Sequence, residues 1–172
     1  RLATPGDIKQ LVPLINTAYM YENVGPRAFK QPDALRTSEV SLREAMNEGV
    51  VVVALEPGIG GERILGCVHY REIPTSEGSA STQDTNSYFG MLAVDVAFRS
   101  HGMGRRLEGI AETIALSRDR RVIEIQVVNS ETELLERYQR HGYKEFGRKD
   151  WNAPFLTQPR YFVLMEKIIS ST

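Results

Sequence analysis

Apolar residues first recur with helical spacing at Ile8, Leu11, Val12, Leu14 and Ile15, behind Thr4-Pro5-Gly6-Asp7. A capping threonine, proline at the first helical position and an acid three residues after the cap predict a helix that runs to about Tyr21. Gly25, Pro26 and Pro32 then interrupt the pattern. Ser38 to Glu48 predicts a short second helix stopped by Gly49. These two helices are candidates for a substrate-facing flap.

The period then changes. Val50 to Leu55 is a continuous β-branched run, and Arg63 to Glu72 reads as its hairpin partner across the turn from Glu56 to Gly61. Thr75 to Ser87 is a polar loop, long enough to be mobile or substrate-facing and equally readable as a surface insertion. From Tyr88 the chain alternates: strand to Val94, turn Asp95 to His101, helix Gly102 to Ser117, strand Val122 to Val128, helix Thr132 to His141. This is a β-α-β-α unit. Ser130-Glu131-Thr132-Glu133 reads as a capping box for the second helix, and Gly142 ends it. Lys144 to Lys149 and Tyr161 to Ile169 complete the strands.

At 172 residues the chain suits one domain over residues 1–172, and 41% hydrophobic with 25% charged residues describes an ordinary globular protein. Twenty-one Lys and Arg against 22 Asp and Glu give no global pull toward nucleic acid or anionic membrane, so any anion site is local. One cysteine, Cys67, and three scattered histidines, His69, His101 and His141, offer no disulfide and no metal-ligand spacing. No run approaches the ~20 apolar residues that span a bilayer. The expectation is a cytoplasmic protein without metal, nucleic-acid or membrane partners.

The informative segment is Phe98 to Leu107, FRSHGMGRRL, between an apolar strand and an amphipathic helix. A first helical turn has unpaired N–H groups and the positive end of the macrodipole, so it holds phosphates where side chains do not block approach. Gly102 and Gly104 remove that block, and Arg99, Arg105 and Arg106 add forked donors. The plain alternative is a helix start with solvated arginines. GxGxxG would need glycine at Leu107, and GxxxxGK[ST] has no match.

Arg99-Ser100-His101-Gly102-Met103-Gly104 resembles the Q/R-x-x-G-x-G/A coenzyme A signature of the GNAT acetyltransferase superfamily, directly after strand Met91-Leu92-Ala93-Val94. Glu133 to Tyr143, with Tyr138 four residues before Gly142-Tyr143, resembles the family's tyrosine helix, and Val163-Leu164-Met165-Glu166-Lys167 its final strand. Arg1-Leu2-Ala3-Thr4 with Asp7 and the Leu65-Gly66-Cys67 strand also fit. The resemblance implies an α/β GNAT fold: a mixed, mostly antiparallel central sheet, flanked by helices and splayed between its fourth and fifth strands, with pantetheine in the gap. It implies acetyl-CoA as cofactor. Arg99, Ser100, His101, Gly102, Met103, Gly104, Arg105 and Arg106 would hold pyrophosphate, and Leu92 and Val94 would pair with pantetheine. An amide near Val94 would polarise the thioester, Tyr138 would protonate the departing thiolate, and Asn129 would contact pantetheine. The alternative for Tyr138 is core packing beside Leu134 and Leu135.

An amine must lose a proton in the reaction, and Glu124, Gln126, Glu72 and Asp95 are the polar candidates, Glu124 being the one put forward. For each acid the alternative is a solvated edge or an ion pair. Asp150, Trp151, Pro154 and Phe155 would overhang the acceptor or pack on the sheet. The expected function is transfer of acetyl to a primary amine, on a small molecule or a protein, by direct attack in a ternary complex. The alternative is a non-catalytic acyl-CoA sensor, and a homodimer is compatible with the family.

Overall fold

The computed structural model describes residues 1–20, 35–58, 61–151 and 159–170. Six strands form one sheet: β1 (Val50–Gly58), β2 (Gly61–Pro74), β3 (Thr85–Val94), β4 (Val122–Val128), β5 (Lys144–Trp151) and β6 (Arg160–Ile168), in the order β1-β2-β3-β4-β6-β5. Four helices are described: α1 (Ile8–Met20), α2 (Glu39–Glu48), α3 (Met103–Ser117) and α4 (Thr132–Arg140). The chain divides into two compact units, and β2, β3 and α3 each run from one into the other.

The first unit comprises residues 1–19, 35–71 and 89–114. Its hairpin, β1 against β2, is antiparallel from Val50↔Tyr70 to Gly58↔Gly61, with an irregularity at Ala54/Leu55. The β-branched run fills a pleated surface well, and Val51, Val52 and Val53 are all buried. Ile8, Leu11, Ile15 and Ala18 form the helical stripe of α1, packed with Leu42 and Ala45 of α2 and Ile64, Cys67, Met91 and Ala93 of the strands. Buried Asn16 has both ends of its amide satisfied, donating to Thr37 O at 3.0 Å and accepting Thr37 N–H at 2.9 Å, which fixes the entry to α2.

The second unit comprises, among described residues, Met20, Glu72–Tyr88 and residues 115–151 and 159–170. β4 pairs with β3 in parallel at Ser87↔Ile123 and Tyr88↔Glu124, and antiparallel with β6 from Val122↔Ile168 to Val128↔Phe162. β5 pairs antiparallel with β6, with an irregularity between Glu145 and Gly147.

Four expectations change. The strands expected as fourth and fifth are β3 and β4, because the N-terminal segment contributes one bridge, Leu2↔Val52, rather than a strand. The first helix opens as a 3-10 turn, Pro5–Asp7, since Asp7 N–H returns to Thr4 O at 2.9 Å and the Asp7 carboxylate accepts Thr4 N–H at 2.7 Å. Its end near Tyr21 lies outside the described residues. The capping box at Ser130 is absent: Glu131 is the N-cap, without a side-chain cap bond, and its N–H is already given to Val128 O at 2.9 Å. Finally, β3 begins at Thr85, because Asn86 and Ser87 are polar yet fully buried.

Candidate functional site

Strand β3 feeds the glycine turn through tight local bonding. Asp95 donates its N–H to Leu65 O at 2.8 Å, its carboxylate accepts Ala97 N–H at 3.0 Å, and Arg63 bridges it at 2.7 Å. Ser100 (φ +65°) and Gly102 (φ +78°) are left-handed, after which α3 begins with Arg106 N–H bonding Gly102 O at 3.0 Å. The first four N–H groups of such a helix have no intrahelical partner. Gly102 answers a backbone need. Gly104 does not: among the described residues, a Cβ there would meet only Val94 Cγ2, at 3.9 Å. The fold leaves that space open, which fits a ligand that needs the bare backbone.

The arginines divide differently from expectation. Arg99 donates to Ala18 O at 2.7 Å, near the end of α1, and Arg105 is tied back along α3 to Glu108 at 2.5 Å, with Glu112 at 3.9 Å. Arg106 is exposed, as are Ser100 and His101, whose Nδ1 lies 2.7 Å from Arg99 O; Met103 is partly buried. Leu92 and Val94 share one partly exposed side of β3 beyond Met91. Met91 is left-handed (φ +46°), a costly conformation for a side chain inside a strand, and its carbonyl faces Cys67 Sγ at 3.5 Å. Burial pushes the Cys67 thiol up to about 12, so it offers no thiolate nucleophile.

In the second unit Tyr138 is buried, with 6% of its surface exposed, and is the third residue from the C-terminus of α4. Gly142 (φ +93°) donates to Gln139 O at 2.9 Å and Tyr143 donates to Tyr138 O at 3.0 Å, the paired bonds of a Schellman ending. The Tyr138 ring meets Tyr143 edge-on at 5.4 Å and His141 at 6.4 Å. Asn129, expected at pantetheine, has its side-chain oxygen bound by Tyr161 N–H at 3.2 Å, while its own N–H bonds Tyr161 O at 3.0 Å.

Of the three acids among these candidates, Glu124 alone is buried, at 4% exposure, while Gln126, a neutral amide two residues on, is exposed. Glu72 is gripped by Arg120 at 2.7 Å and Arg118 at 3.3 Å; the Arg120 bond holds its carboxyl below the usual range and makes it a poorer base. Asp95 is committed to Arg63 and the turn. Glu124 Oε1 accepts Asn86 Nδ2 at 2.6 Å and Oε2 accepts Ser76 Oγ at 2.6 Å, with Ser76 N–H at 3.4 Å from Oε1. Directly opposite on β6, Glu166 accepts Ser79 Oγ at 2.5 Å and Ala80 N–H at 2.9 Å. Among the described residues, every donor to these two carboxylates is neutral.

Ser76, Ser79, Asn86 and Glu166 escape a reading of sequence alone. Their signal is faint: a polar Asn-Ser pair inside a strand, and one acid directly after the apolar run Val163 to Met165. Trp151 stacks on Phe162 at 4.9 Å and Asp150 is exposed, whereas Pro154 and Phe155 lie outside the described residues.

The model of the acetyltransferase (GNAT) domain matches residues 34–159. The chain belongs to the GNAT acetyltransferase family. Comparison with curated proteins gives no match. Among solved structures, this GNAT chain is similar to the ribosomal-protein-alanine N-acetyltransferase of Brucella melitensis, with 18% identity and TM-score 0.71 over 98% of each chain. It is also similar to the ribosomal-protein-S18-alanine N-acetyltransferase of Escherichia coli, at 14% identity and TM-score 0.70 over 100% of this chain and 94% of that one. A third is yncA of Salmonella typhimurium, solved with its cofactor acetyl-CoA, at 14% identity and TM-score 0.67 over 100% of this chain and 94% of that one. At such identities these likenesses carry the fold. No described helix is long and apolar enough to cross a membrane.

Proposed function

We propose that this GNAT acetyltransferase transfers acetyl from acetyl-CoA to a primary amine of a small molecule or protein, by direct attack in a ternary complex. The observation that carries the reading is Gly104, whose side-chain space the fold leaves open at the N-terminus of α3. The N–H groups of that turn, with Arg106, would hold the pyrophosphate. Backbone groups of Leu92 and Val94 would pair with pantetheine, an arrangement that Met91 supports by turning the strand just before them.

Acetyl-CoA supplies an activated acyl carbon. The Val94 N–H would polarise its carbonyl, and Tyr138 would give its proton to the leaving sulfur; a phenol and a thiol have neighbouring reference pKa values of about 10 and 8.5. Glu124 would receive the proton that the amine nitrogen loses. Its burial and its lack of a cationic partner among the described residues set it apart from Glu72 and Asp95. The buried, protonated Cys67 supports transfer without an acyl-enzyme. One domain over residues 1–172, a cytoplasmic setting and a homodimer belong to the same reading.

Calorimetric titration tests it, with acetyl-CoA and coenzyme A against ATP and NAD. Saturable binding confined to the CoA compounds is expected. Absence of CoA binding by the folded protein would remove the proposal.

A further inference from the structure

Ser76 and Ser79 reach two buried glutamates from one loop, residues 75–84, but their hydroxyls are used differently. Ser79 Oγ donates to Glu166 and accepts both Asn86 Nδ2 at 3.1 Å and Ser81 N–H at 3.2 Å. A hydroxyl has one donor and two lone pairs, so Ser79 is saturated. Ser76 Oγ donates to Glu124 Oε2 at 2.6 Å, and among the described residues nothing donates to it. Ser76 is partly exposed, whereas Glu124 is buried. A buried carboxylate is thus joined to solvent through a hydroxyl whose lone pairs are open. Asn86, itself fully buried, holds the other carboxylate oxygen and ties it to Ser79.

We propose that Ser76 is a proton relay between the acceptor amine and Glu124, and that Asn86 is the positioning residue that fixes the Glu124 carboxylate for it. The inference rests on the reading of Glu124 as proton acceptor. As the amine nitrogen bonds to the acetyl carbon its N–H becomes acidic. That proton passes to Ser76 Oγ while the Ser76 hydroxyl proton passes to Glu124 Oε2. Ser76 ends neutral, Glu124 ends protonated, and the departing sulfur takes its proton from Tyr138. Glu166 with Ser79 has no part in the transfer and serves to hold the loop.

The test follows CoA release with spermidine, lysine and a short peptide with a free α-amine as acceptors, across pH. Ser76→Ala is expected to lower kcat at least tenfold, to leave the KM for acetyl-CoA unchanged and to abolish the limb of the pH profile that reports Glu124. Ser76→Thr, which restores a hydroxyl, is expected to recover the rate, and Ser79→Ala to keep the shape of the profile. Asn86→Ala is expected to move that limb, because the carboxylate loses a donor. Wild-type kcat and profile in Ser76→Ala, or the same change in Ser79→Ala, would overturn the relay. If Glu124→Gln is inactive while Ser76→Ala is active, the relay alone fails. If Glu124→Gln is fully active, the base reading beneath it fails, and no CoA release by wild type with any amine removes the enzyme reading itself.

Discussion

The carbonyl oxygen of Tyr138 accepts the backbone N–H of Tyr143 at 3.0 Å, and the two rings meet edge to face with centroids 5.4 Å apart. One helix ending therefore fixes both the backbone and the ring of the residue proposed to protonate the leaving sulfur. Tyr143→Ala is expected to cost about 3 kcal/mol in denaturant unfolding. Tyr138→Phe is expected to slow transfer at least tenfold with little change in acetyl-CoA affinity. Undiminished turnover across pH would leave Tyr138 a packing role only.

Gly102 and Gly104 should separate in a single pair of experiments. Gly102→Ala forces a side chain into φ +78° and is expected to cost about 1 kcal/mol of stability. At Gly104 a methyl meets, among the described residues, only Val94 Cγ2 at 3.9 Å, so Gly104→Ala is expected to keep or slightly raise stability while weakening acetyl-CoA binding at least tenfold. Gly104→Val should weaken it further. Thermal unfolding and calorimetry on the same samples decide this; unchanged binding in Gly104→Val would remove the turn from the site.

His69 supplies an acid-side prediction. It is 5% exposed and its Nε2 has no hydrogen-bond partner among the described residues, so burial pushes its pKa below 6.5. The unfolded chain then binds the proton more readily than the folded one. Stability is fully present above about pH 6.5 and is lost as pH falls below it. His69→Gln is expected to flatten the stability-versus-pH curve between pH 7 and 5; an unaltered slope would assign that loss elsewhere.

Asp7 acts in a lower window. Hydrogen bonds from Arg1, reinforced by Thr4, hold its carboxyl down at about 2 against 3.8. Its stabilisation is present above pH 4 and disappears as pH falls toward 2. Asp7→Asn is expected to cost roughly 1–2 kcal/mol at pH 7 and nearly nothing at pH 2, read from urea midpoints.

Unfolding should be a single transition. β2, β3 and α3 each pass from one compact unit into the other, so neither unit can lose its strands or helix without breaking an element of its neighbour. Two resolved calorimetric transitions would contradict one domain over residues 1–172.

Local chemistry made much of this protein legible in its sequence. The β-branched run at Val50, the stripe Ile8, Leu11 and Ile15, the glycine turn before α3 and Gly142 after α4 each depend on neighbours within a few residues. Periodicity, φ preference and bare backbone are properties a sequence carries directly. The hydrogen-bond partners of the polar side chains were decided only by tertiary structure. Arg99 and Arg105, which flank the glycine turn, are drawn to Ala18 O and Glu108, and Asn129 to Tyr161. Glu124 and Glu166 lie far apart in the chain and become partners only through the β4–β6 register, bound by serines from a loop that composition left open between a substrate-facing segment and a surface insertion. A hydrogen bond is made with whatever donor the fold brings within about 3 Å, and that distance is set by long-range strand pairing, which no local pattern encodes.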